Sequence, residues 1–100
     1  MLVHLPIVIL ASFSPVKMAD SLPKFDIIRE CRAEGGSQAV EKRCATDEAD
    51  ARDQLQPQWT QFDLHDRAVC LEATSTDGTP SYVELLTCLE MAQEVRKSSR

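Results

Sequence analysis

Apolar and polar positions divide the chain at Lys17. Residues 2–16 (LVHLPIVILASFSPV) are almost free of charge, and beyond them apolar residues recur at helical intervals. A first helix is predicted over residues 21–34, with Pro23 in its first turn and Phe25, Ile28 and Cys31 spaced by three. Gly35-Gly36 ends it, because glycines permit the left-handed turn that closes a helix. Ser37 then caps a second helix running to about Gln56, in which Val40, Cys44, Ala51 and Leu55 share one arc at about 100° per residue. Pro57 is expected to stop it, since proline disfavours helical geometry in the residue before it.

The third helix has two candidate starts. Thr60-x-x-Asp63 resembles a capping box with Trp59 and Leu64 as its hydrophobic staple, and Asp63-x-x-Asp66 competes with it. Either way the helix carries Ala68, Val69, Cys70 and Leu71 and ends before Thr74. Residues 74–79 (TSTDGT) form the most evident loop. Thr79 as cap and Pro80 at the first helical position open a fourth helix, whose buried stripe is Tyr82, Leu85, Leu86, Leu89 and Ala92. The tail from Arg96 should fray. With no sustained period-two alternation, the expected fold is all-α, a small bundle of three to four helices.

The apolar leader sets the domain plan. Fifteen residues interrupted by Pro6 and Pro15 are short for a bilayer crossing, which takes about 20. A secretory signal peptide over residues 1–19 fits better, with residues 5–11 as its apolar heart and cleavage after Ala19. Against the usual pattern, no Lys or Arg precedes the apolar run. The remainder, residues 20–100, makes one domain. All sixteen acidic residues fall in it, against ten of the eleven basic ones, which leaves a net charge of −6. Such a surface repels nucleic acid and anionic lipid and attracts basic proteins, so a basic protein is the expected partner and nucleic acid is set aside.

Four cysteines in a short exported chain imply two disulfides. A zinc site usually brings two ligands close together in sequence. Here the intervals are 12, 25 and 17 residues, so no metal or other cofactor is expected. Cys44 lies 13 residues before Pro57 and Cys70 lies 13 after it. A fold-back about that proline favours Cys44–Cys70, leaving Cys31–Cys88. The rival reading is a pseudo-repeat: Ser37 to Cys44 and Ser81 to Cys88 are each Ser-x₆-Cys, which gives Cys31–Cys44 and Cys70–Cys88.

Candidate chemistry is sparse. His65 between Asp63 and Asp66 is the one histidine after the leader, but no nucleophile motif accompanies it, and capping explains the two aspartates. No catalytic residue is assigned. Asp47, Glu48, Asp50 and Asp53 form the densest acidic patch; with Trp59 they are the candidate partner surface. The blander alternatives are a solvated helix face supported by a Glu48–Arg52 pair, and a Trp59 buried in the core. Tyr82 is expected in the core with its hydroxyl at the surface.

Cys31-x₁₂-Cys44, followed by Glu48, Ala51, Leu55 and Trp59, then by Arg67-x-x-Cys70, Gly78 and Cys88, is similar to the LprI-type lysozyme-inhibitor family. Gln56 stands where that family has Asn, and Trp59 where it has Tyr. The resemblance implies a small exported helical domain of the bacterial envelope, periplasmic or secreted, that inhibits a basic, lysozyme-like glycan hydrolase. The expectation is thus a non-catalytic binding protein without a membrane span in its mature part. The alternatives are a structural or assembly factor of the envelope without inhibitory activity, or a small metal-binding or redox module, which needs free thiols.

Overall fold

Capping residues decide where each helix begins. The structure, a computed structural model, describes residues 21–99; the expected leader lies outside the described residues. Within them α1 spans Ile27–Glu34, α2 Gln38–Gln58, α3 Leu64–Thr74 and α4 Tyr82–Ser98, with a 3₁₀ turn at Trp59–Gln61 and no strand. The all-α expectation holds.

Each start has a side-chain oxygen on a backbone N–H that would otherwise lack a partner. Asp26 accepts from Arg29 N, Ser37 from Val40 N, Asp63 from His65 N and Asp66 N, and Ser81 from Glu84 N. Two starts fall later than expected. α1 begins at Ile27 because the backbone around Pro23 and Phe25 bonds to Tyr82 and not along a helix. α4 begins after Ser81, since Thr79 N and Oγ1 are engaged by Asp77 Oδ1, each at 3.1 Å. Of the two candidate starts of α3 it is Asp63 that caps; Leu64 is exposed, so it staples nothing.

Pro57 does not stop α2. It sits in the last turn, where Gln58 Nε2 donates to Gln54 O at 3.0 Å, and the chain runs on through the 3₁₀ turn. That turn sends Trp59 and Phe62 into the core with Ala51, Leu55, Cys70, Tyr82, Leu85, Leu86 and Leu89. α2 packs on α4, α1 on α2, and α3 on α4. Val40, expected in the stripe of α2, is exposed in the helix's first turn.

This arrangement corrects the favoured disulfide pairing. The bonds are Cys31–Cys44 and Cys70–Cys88, each with Cα atoms 5.7 Å apart, and not Cys44–Cys70 with Cys31–Cys88. The fold-back about Pro57 does not occur, so α2 and α3 do not lie side by side. Short connections decide the pairing: three residues join α1 to α2, and sequence-adjacent helices become spatial neighbours. Closing chain separations of 13 and 18 residues stabilises by roughly 3 kcal/mol each.

The extended segment before α1 is tied to α4 by one hydroxyl. Tyr82 Oη donates to Pro23 O at 2.8 Å and accepts from Phe25 N at 2.9 Å, while the Phe25 and Tyr82 rings lie 4.4 Å apart. The hydroxyl is therefore engaged inside the fold and not set at the surface. Tyr82→Phe removes both bonds and is expected to cost roughly 1–2 kcal/mol in denaturant unfolding; an unchanged midpoint would show that the segment is held by ring packing alone.

Candidate functional site

The acidic residues of α2 separate into two groups by helical register. Asp47, Asp50 and Asp53 recur every three residues and are exposed, whereas Glu48 is 3% exposed and faces α4. One step along a helix turns the side chain by about 100°, enough to move Glu48 off the solvated row. Arg52 accordingly pairs with Asp53 at 3.2 Å and not with Glu48. Glu48 is thus removed from the candidate partner surface.

Glu48 is a helix cap supplied from another helix. Its Oε1 accepts from Tyr82 N at 2.6 Å, and its Oε2 accepts from Ser81 Oγ at 2.6 Å, with Val83 N at 3.4 Å. Ser81 Oγ in turn accepts from Glu84 N at 3.2 Å. Ser81 N donates to Thr74 Oγ1 at 2.9 Å, and that hydroxyl donates to Glu84 Oε1 at 2.9 Å. In an ordinary capping box the Glu would reach the cap's own N–H. Here Thr74 of α3 is inserted between the two. Every leading N–H of α4 has a partner, and the positive end of its dipole meets a carboxylate.

Glu30 is the second buried acid, 6% exposed, and its surroundings are the opposite. Its Oε1 lies 3.6 Å from both sulfurs of the Cys31–Cys44 bond. Disulfide sulfurs carry no hydrogen, so a proton in these contacts belongs to Glu30. Burial pushes its pKa up from 4.5 to about 8, helped by a side-chain hydrogen bond with Glu34 and by repulsion from Glu48, Glu34 and Glu84. The carboxyl and the two sulfurs lie within 4.8 Å of one another, a set of metal-ligating atom types; as found, both sulfurs are spent on their bond. No cysteine among the described residues is free.

Trp59 also leaves the candidate surface. It is 2% exposed, with the Arg67 guanidinium 5.4 Å from its ring centroid, and among the described residues its buried Nε1 has no hydrogen-bond partner. Arg67 Nε donates to Phe62 O at 3.2 Å, which fixes the turn below the ring. The aspartates flanking His65 have structural duties. Asp63 caps α3, and Asp66 makes a two-point contact with Arg96, at 2.6 and 3.0 Å, that holds its carboxyl below the usual range. What remains solvated from the predicted surface is Asp47, Asp50 and Asp53.

No helix of the described residues is long and apolar enough to cross a membrane. Neither a family model, nor a curated protein, nor a solved structure matches the chain.

Glu48→Ala is expected to destabilise the fold by roughly 2–4 kcal/mol in denaturant unfolding, because it strands the buried donors of α4. Glu48→Gln keeps one acceptor and should lose less. A loss under about 0.5 kcal/mol for the alanine variant, the range of ordinary surface changes, would refute this role.

Glu30 predicts a pH dependence of definite sign. Its folded pKa lies above its unfolded value, so its contribution is fully present below pH 4.5 and is lost as pH rises toward about 8. Over that window stability should fall by at most about 1.4 kcal/mol per pH unit. Glu30→Gln should remove this slope, and a variant as steep as the wild type between pH 5 and 8 would place its origin elsewhere.

Proposed function

We propose that the chain is a non-catalytic binding protein of the cell envelope that engages a basic protein through Asp47, Asp50 and Asp53. The observation that carries this reading is the exposure of three carboxylates along one face of a helix held by a disulfide on one side and by Glu48 on the other. Side chains displayed on a pinned helix lose little freedom on docking. A net charge of −6 over residues 20–100 steers a cationic partner and raises its association rate. Two disulfides suit an oxidising compartment such as the periplasm or the exterior. The resemblance to LprI-type inhibitors supports a lysozyme-like glycan hydrolase as that partner.

The test is a titration of the oxidised protein against a basic lysozyme, reading both binding and hydrolysis of cell-wall glycan. Dose-dependent inhibition is expected, with an association rate that falls as salt is added. Replacing Asp47, Asp50 and Asp53 together by Asn should slow association by roughly tenfold at low salt while leaving stability within about 0.5 kcal/mol. Absence of binding at tens of micromolar overturns the docking surface. Binding without inhibition removes the inhibitor and leaves an envelope assembly factor.

A further inference from the structure

The sequence argued against a metal site because no two cysteines lie close along the chain. The fold removes that objection by bringing Cys31 and Cys44 together and setting a carboxylate beside them. We propose that reduction of the Cys31–Cys44 disulfide opens a three-ligand Zn²⁺ site made of Cys31 Sγ, Cys44 Sγ and a Glu30 carboxylate oxygen.

The three donor atoms are already neighbours, and opening the S–S bond frees both sulfurs to part around an ion. The three donor atoms lie within 4.8 Å of one another, with Glu30 Oε1 equidistant, at 3.6 Å, from the two sulfurs. Two soft thiolates and one oxygen suit Zn²⁺, and three protein ligands leave the fourth tetrahedral position to water. Glu30 is buried with no basic partner among the described residues, so a cation at this point supplies the charge its surroundings lack. Cys44 is half-buried, and an open cleft of ≈ 460 Å³, lined in part by Gln38, Glu41 and Lys42, reaches Cys31.

The chemistry balances with a small dithiol as reductant. Its thiolate attacks Cys44 Sγ, the S–S bond breaks and the electron pair leaves on Cys31 Sγ. The reductant's second thiol then displaces Cys44 from the mixed disulfide. The protein gains two electrons and two protons, and the dithiol becomes a disulfide. Zn²⁺ next displaces the protons of two thiols and one carboxyl, leaving a centre of charge −1. The same reduced form exists in every newly made chain before its disulfides close. The second disulfide is an internal control: among the described residues Cys70 and Cys88 belong to no such cluster of ligands.

The experiment uses the full chain, reduced with a phosphine under anaerobic conditions and titrated with Co²⁺ as the spectroscopic probe for zinc. One equivalent should give thiolate-to-cobalt charge transfer in the near ultraviolet together with the visible bands of a tetrahedral ion. Cys70→Ser/Cys88→Ser should keep the signal, and Cys31→Ser/Cys44→Ser should lose it. Glu30→Gln should weaken binding by at least roughly 10–100-fold, as loss of even an outer-shell partner does. In a parallel alkylation experiment with Zn²⁺, peptide mapping should find Cys31 and Cys44 protected and Cys70 and Cys88 modified. No charge-transfer band, protection spread over all four cysteines, or indifference to Glu30→Gln overturns the site, whether or not the reduced chain keeps its helices. The oxidised protein used against lysozyme lacks these thiols, so the two tests fail independently.

Discussion

The fold depends on a carboxylate placed where a helix begins. Glu48 has no cation in reach among the described residues; its charge is offset by Ser81 Oγ, by Tyr82 N and by the dipole of α4. Because these donors belong to α4, the bond fixes α2 against α4 at one register. The consequences propagate through the next residue. Tyr82, held by its N–H, sets its ring on Phe25 and its hydroxyl on Pro23 and Phe25, and this places the segment that leads into α1. From there Cys31 comes against Cys44. α1 is thus anchored at its entry by α4 and along its length by α2.

Glu30 and Glu48 are the same residue type with two different solutions to burial. Glu48 meets backbone and hydroxyl donors, which replace the water it left. Glu30 meets the disulfide sulfurs and the Glu34 carboxyl, with which it shares a hydrogen bond, and its burial raises its pKa to about 8. A stability-only design would fill such a position with an apolar side chain of similar volume. The cost of Glu30 falls beside one disulfide and not the other, and that asymmetry is why the thiol form of this pair is the one that gains a ligand set.

Much of this was legible in the residues, and the exceptions share a cause. Helix number, the Ser37 cap, the Gly35-Gly36 stop and the apolar stripe of α4 from Tyr82 to Leu89 follow from local chemistry and appear as expected, while Ala92, the last position of that stripe, is only half-buried. The favoured disulfide pairing depends on a long-range event, a fold-back at Pro57, whereas α2 carries Pro57 in its last turn and runs on through it. The pseudo-repeat held the better signal. In both helix pairs a Ser cap is followed seven residues later by a Cys, so each cysteine faces the preceding helix at the same height. Glu48 was misplaced for a different reason. It falls between Cys44 and Ala51 on the very arc that carries Leu55, so register alone put it inside, but its charge suggested the surface. An acidic residue on an apolar arc announces a donor set elsewhere in the chain, and no local pattern says where. Trp59 followed the chain through a turn whose direction depends on Arg67 and Phe62, five residues apart.

Separation of duties along α2 bears on what the molecule can do. Asp47, Asp50 and Asp53 take no part in the seam with α4 or in the contacts of Glu30, so the charge of the outer face can change without disturbing the frame. The inner face has no such freedom, since Glu48, Ala51 and Leu55 each meet α4 or the core. A single helix therefore carries two independent specifications, one for folding and one for recognition, distinguished by a rotation of about 100°. That division makes the recognition reading testable apart from stability: charge changes on the outer row reach a partner through solvent, whereas changes at Glu48 reach it only by moving the helix itself.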